Sequence, residues 1–156
     1  MVIANLVTLN IVLLTSASHY VVFHQLHHDR HIRQVLLRLK YQTLTCINRL
    51  VHTANQNRGG CDDAVIGAVA KMASYEAMFG VPELYHMHMR GLQNMIRFRG
   101  GLETLGLDGL LQRMVLWVDV NSASLLKSSV YFVPNVPLAG HVAMQRPNPS
   151  GFLGVS

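Results

Sequence analysis

Four histidines in one short stretch, His24, His27, His28 and His31, are the residues of this chain best spaced for metal chemistry. On a helix, positions i, i+3, i+4 and i+7 place three or four imidazoles on one face. Neutral imidazoles one turn apart bind zinc or copper together. Asp29 and His19 are the nearby residues that would complete a ligand set. No glutamate sits between paired histidines as it does on a zinc-protease helix. A polar helix face or connecting loop that gains positive charge near pH 6 accounts for the same residues. The four histidines therefore stand as metal candidates only, and no metal is expected. His86 and His88, two apart, fall on nearly opposite sides of a helix and cannot share a ligand. His88 is expected at the inner edge of its helix and His86 toward water.

Other reactive groups are sparse. Cys46 and Cys61 are the two cysteines, fifteen apart with no Cys-x-x-Cys, and read as buried structural thiols. The sequence contains no Gly-x-Ser-x-Gly elbow, no phosphate loop ending in Gly-Lys-Ser/Thr and no Gly-x-Gly-x-x-Gly. Carboxylates are few and scattered, which disfavours a paired acid–base site. Arg58-Gly59-Gly60 and Arg99-Gly100-Gly101 occur once each and read as helix stops. No catalytic residue and no cofactor is expected.

Five helical segments must position whatever this chain presents. Met1 to Phe23 is uncharged and apolar, with Leu6, Leu9, Leu13 and Ala17 at helical spacing, one turn after Val2 and Ile3. It reads as a buried amphipathic helix. The alternative is a membrane or secretory segment, since about 20 apolar residues span a bilayer. Asn5, Thr8, Asn10, Thr15, Ser16 and Ser18 interrupt the run, and no Lys or Arg precedes it. A second helix is expected over 31–55, its stripe being Ile32, Val35, Leu36, Leu39, Cys46, Ile47, Leu50 and Val51, weakly interrupted by Thr43. Asn57-Arg58-Gly59-Gly60 then breaks it.

A third helix starts at Asp62 or Asp63, since aspartate accepts hydrogen bonds from orphan backbone N–H groups. Its stripe is Val65, Ile66, Val69, Met72, Ala73 and Phe79, and Gly80 stops it. A fourth runs from Pro82, a residue favoured in the first turn, to Arg99, with Leu84, Tyr85, Met89, Leu92, Met95 and Ile96 inward. Gly91 in its middle reads either as close approach by a neighbouring helix or as a tolerated glycine. A fifth spans 108–127, with Leu107, Leu111, Met114, Val118 and Leu125 on one face. Residues 130–133 could form a short extended piece. Four of the five prolines lie from Pro134 onward, so 134–156 reads as an irregular or disordered tail beyond a helical domain at 1–133.

The 156 residues are 50% hydrophobic and 13% charged, with a mean hydropathy of +0.25. That excludes a disordered polar chain, and two cysteines exclude a disulfide scaffold. Residues 1–60 carry six Lys or Arg and one acid, whereas 61–156 carry seven of each. The cations are scattered and form no run, so this basic half reads as a solvated helix face and not as a nucleic-acid site.

The strings Ala73-Ser74-Tyr75-Glu76-Ala77-Met78-Phe79-Gly80, His88-Met89-Arg90-Gly91-Leu92, Arg99-Gly100-Gly101-Leu102-Glu103-Thr104-Leu105-Gly106 and Leu116-Trp117-Val118-Asp119-Val120-Asn121 occur in that order. Together they resemble the fungal-specific transcription factor domain, the helical regulatory region C-terminal to a binuclear zinc cluster. The resemblance implies an all-α fold, an antiparallel array of about five helices, here an incomplete version of a larger helical domain. It implies regulation of transcription in the nucleus through protein contacts, with no catalysis; the apolar faces that an incomplete array leaves uncovered predict a protein partner, self-association or poor solubility. Arg90, Arg99, Glu103 and Asp119 would then pair between helices. The family's zinc cluster needs six cysteines, so this chain is expected to bind no DNA sequence itself.

Overall fold

A computed structural model describes residues 2–56 and 61–132, and the order of elements is that of an all-α protein. Five α-helices follow one another: α1 (Val2–Phe23), α2 (Arg30–Gln56), α3 (Asp63–Phe79), α4 (Pro82–Arg99) and α5 (Leu110–Leu126). Single 3₁₀ turns lie at Leu26–His28 and Leu102–Thr104. No strand forms among the described residues, and 130–132 is irregular. The chain divides into two compact units, Met1–Met72 and Ala73–Ser156. The expected tail at 134–156, Val133 and the break at 57–60 lie outside the described residues.

In the first unit α1 and α2 pack as a hairpin. Asn10 Nδ2 donates to Cys46 Sγ at 3.4 Å. Those residues lie nearly equidistant from the connecting turn, as antiparallel helices require. Gln25 closes α1 in the left-handed region (φ 56°). Asp29, the first charged residue of the chain, then opens α2: its Oδ1 accepts the N–H groups of His31 and Ile32 at 2.8 and 3.1 Å. Thr43 is no interruption of the α2 stripe. It is fully buried beside Ile47 and Leu50 on that face, its hydroxyl donating to the Leu39 carbonyl at 2.8 Å.

The face that α1 buries differs from the expected one. Val7, Ile11, Leu14, Ser18 and Val21 are buried, whereas Leu6, Leu9 and Leu13 are 47, 53 and 47% exposed. Periodicity cannot choose between two apolar sides of one helix, and α1 is apolar on both. The chosen side offers slim residues, Ser18 and the β-branched Val7, Ile11 and Val21, with Asn10 bonded at its edge.

The α3 helix begins where expected, with Asp62 Oδ1 accepting the Val65 N–H at 2.9 Å. From Val65 to Ala77 most of its side chains are buried. Its end in the second unit is set by Glu76. That buried carboxylate folds back beneath Gly80 and accepts the Val81 N–H at 3.2 Å, which is the residue that opens α4. A Cβ on Gly80 would strike the Glu76 carboxylate. Pro82 starts α4. Its end is a Schellman motif: Gly100 sits at φ 111°, its N–H donating to Arg97 O, while the Gly101 N–H donates to Ile96 O.

Nothing lies within 4 Å of a Cβ added to Gly91, so no helix approaches it closely and it is a tolerated glycine. The α5 helix begins at Leu110, two residues later than expected, because Leu107, Asp108 and Gly109 all take positive φ. Leu107 consequently points to solvent, and the buried face of α5 is Leu111, Val115, Val118 and Ser122.

Gly91→Ala is expected to raise stability by about 1 kcal/mol, the propensity gain at an unobstructed mid-helix site. Gly80→Ala is expected to lower it by about 1–3 kcal/mol, the usual range for overpacking. Paired denaturant melts read both signs.

Candidate functional site

The four candidate histidines sit at the tip of the α1–α2 hairpin and do not share a helix face. His24 lies in the turn after α1, His27 and His28 in the 3₁₀ turn, and His31 in the first turn of α2. All four are exposed. The His24 ring packs on Tyr20 and Phe23, with centroids 4.3 and 5.1 Å away. Asp29, the carboxylate that would join them, caps α2 instead. Among the described residues no group of three or more His, Cys, Asp or Glu is arranged to hold a metal ion. Neither Cys46 nor Cys61 is in a disulfide, and both are half-buried.

Polar chemistry concentrates in the second unit, around Asp119. This carboxylate is fully buried on α5. It was expected to pair with an arginine, but its oxygens accept backbone N–H groups: Tyr131 N–H at 2.9 Å to each oxygen and Phe132 N–H at 2.8 Å. The segment after α5 is thereby held against that helix. Gln93 of α4 donates to the Tyr131 carbonyl at 2.9 Å, and His86 Nδ1 meets the Tyr131 hydroxyl at 2.8 Å. His86 is therefore half-buried and bonded, contrary to its expected place in water. The rings of Tyr85 and Tyr131 meet edge to face at 6.2 Å.

Burial pushes the Asp119 carboxyl above its ordinary value of 3.8, although the Tyr131 and Phe132 N–H groups pull the other way. Tyr85, fully buried on α4, has its phenol pushed well above the ordinary value, first by burial and then by the Asp119 charge. The Ser122 hydroxyl lies near enough to ease that shift, yet neither hydroxyl finds a partner with hydrogen-bond geometry. A carboxylate already filled by three N–H contacts, beside a phenol that stays neutral, is built to fasten backbone. Gln93, Ser122 and Tyr131 were not picked out by type and spacing, and Tyr85 and His86 were read only as an inward packing residue and a water-facing one. The one available signal was an acid, Asp119, inside the apolar run Leu116–Val120.

The outward side of α1 is the other distinctive feature. Leu6, Leu9, Val12, Leu13, Tyr20 and Phe23 are exposed along one helix face. Residues Leu6–Phe23 are also long and apolar enough to cross a membrane, and only 28% of that stretch is buried.

Asp119→Ala leaves the Tyr131 and Phe132 N–H groups without acceptors and is expected to cost about 3 kcal/mol. Tyr85→Phe removes a hydroxyl without a partner and is expected to leave stability unchanged or raise it by about 1 kcal/mol. The folded state holds the Asp119 proton more tightly than the unfolded chain does. Its contribution is fully present below the ordinary carboxylate pKa and is lost as pH rises through the raised value. The stability difference between the wild type and Asp119→Asn should therefore shift against the wild type as pH rises from 3.8; melts across a pH series measure it.

The family model described as the fungal specific transcription factor domain matches residues 1–141. No curated protein and no solved structure matches the chain.

Proposed function

The chain belongs to the fungal-specific transcription factor domain family, and on that premise we propose that it regulates transcription in the nucleus through protein contacts. It does so without catalysis and without reading DNA sequence itself. Membership over residues 1–141 is the observation that carries this reading. Two features of the chain support it. The outward face of α1 is apolar and open, the property of a docking surface. The buried Asp119 carboxylate is engaged by backbone N–H groups, the work of a structural acceptor.

The reading without DNA contact rests on cysteine number. A binuclear zinc cluster requires six, and the sequence holds Cys46 and Cys61. The basic half is also spread along α2, where Arg30, Arg33, Arg38 and Arg49 are exposed singly on a helix that forms one arm of a hairpin. A second reading, anchoring of α1 in a bilayer, is favoured by the length and composition of Leu6–Phe23.

Fused to an unrelated DNA-binding domain, the chain should change output from a reporter carrying that domain's site. In a gel shift with genomic fragments the unfused chain should give no sequence-specific band. A fluorescent fusion should collect in the nucleus. A silent reporter or a tight specific DNA complex defeats the reading, and recovery of the chain in carbonate-washed membranes favours the second one.

A further inference from the structure

The four histidines gather at the apex of the α1–α2 hairpin, where the 3₁₀ turn packs against both helices. They meet aromatic rings there. His24 lies 4.3 Å from the Tyr20 ring and 5.1 Å from the Phe23 ring, and Phe23 is 81% exposed. His27 and His28 follow with ring centroids 4.0 Å apart, and His31 lies in the first turn of α2 beside the exposed Arg30 and Arg33. Acids are scarce on this surface. Asp29 is the one Asp or Glu in the first 60 residues, and its Oδ1 is engaged by the His31 and Ile32 N–H groups. The other titratable or charged groups about the apex are His19 and Tyr20 on α1 and Arg30 and Arg33 on α2. Imidazole is the side chain that changes charge between about pH 5 and 8. Mild acid therefore adds up to four positive charges to the two arginines already there.

We infer that the hairpin apex is a pH-dependent docking site for an acidic segment of a partner protein, one in which carboxylates alternate with apolar side chains. The charge of the apex selects the carboxylates. Imidazolium rings as near as those of His27 and His28 repel one another. A carboxylate set against them relieves that repulsion and accepts charge-assisted hydrogen bonds. It also stays ionised at about pH 5.5, where imidazole is charged. The aromatic rings select the apolar side chains. Tyr20 and Phe23 carry the outward apolar face of α1 up to the apex, where they would shelter such side chains from water. A nucleic acid fits less well, because phosphate contacts dominate its affinity and two arginines are few. A bilayer would engage the apolar side of α1 from Leu6 onward and would need no histidine. The inference rests on the reading of this chain as a regulator that works through protein contacts.

Fluorescence anisotropy on the full chain tests it, the probe being a fluorescein-labelled synthetic peptide of alternating aspartate and leucine. The peptide should bind about tenfold more tightly at about pH 5.5 than at about pH 7.5, the sum of several exposed ion pairs. The same peptide with asparagine for aspartate should lose that pH dependence. His24→Gln, His27→Gln, His28→Gln and His31→Gln together should flatten the profile with the helical circular dichroism retained, because all four are exposed. If that variant loses helix, His27→Gln with His28→Gln should cut the pH ratio to about threefold. Phe23→Ala should weaken binding at both pH values and leave their ratio. His52→Gln, near the far end of α2, should change nothing. Equal binding at both pH values, or a wild-type profile in the histidine variants, overturns the inference. So does tighter binding of an oligothymidylate or of phosphatidylserine vesicles with the same histidine dependence. Anisotropy reads the apex and the reporter reads the regulatory role. A flat profile with full reporter output defeats this inference alone, and a pH-dependent complex with a silent reporter defeats the regulatory reading alone.

Discussion

A carboxylate removed from water costs several kcal/mol unless its lone pairs are met. Asp119 is met three times, by the N–H groups of Tyr131 and Phe132. Much of the second unit follows from that one constraint. The contacts fix the path of the chain after α5, and that path carries the Tyr131 carbonyl to Gln93 and its hydroxyl to His86. Two helices and an irregular segment are thus joined through a single tyrosine. A parallel arrangement operates at the start of this unit. The buried Glu76 folds under Gly80 and meets the Val81 N–H, so the end of α3 and the beginning of α4 share one acceptor. In both places an acid in an apolar stretch fastens backbone at a point where regular helix stops.

Helix boundaries were legible wherever a residue had one structural option. Pro82 can open a helix and cannot sit inside one, and the Gly100–Gly101 pair supplies the left-handed turn that closes it. The limits of α4 could therefore be read directly. The start of α5 could not, because Leu107 and Asp108 adopt positive φ with side chains that give no sign of it. Faces were harder than boundaries. In α4 most of the apolar residues share one side, Met87 and Phe98 apart, and Tyr85, Met89, Leu92 and Ile96 are buried as expected. In α1 both sides are apolar, and fine packing against α2 made the choice. Gly91 shows the opposite limit: an unusual residue for a helix, which its surroundings do not explain.

The polar cluster was less legible than the fold. Its members come from α4, α5 and the segment beyond, and no local spacing links His86 or Gln93 to Tyr131. The family-like strings did mark several joints of the second unit, since Glu76, Gly80, Gly100, Gly101 and Asp119 all lie within them. The resemblance located these residues and the coordinates supplied their work: one carboxylate under a glycine, two glycines closing a helix, one carboxylate holding a strap. The four histidines come together on one face only if the chain is helical throughout 24–31. Their i, i+4 spacing presumed a continuous helix, and the chain turns there.

The order of α1 and α2 along the chain has a consequence during synthesis. The buried side of α1 needs α2, and the chain carries no charge before Asp29. Ribosomes add about 5–20 residues per second, so α1 emerges several seconds ahead of the helix that shelters it. During that interval it is an uncharged, greasy stretch of nascent polypeptide, a natural client for chaperones at the exit tunnel.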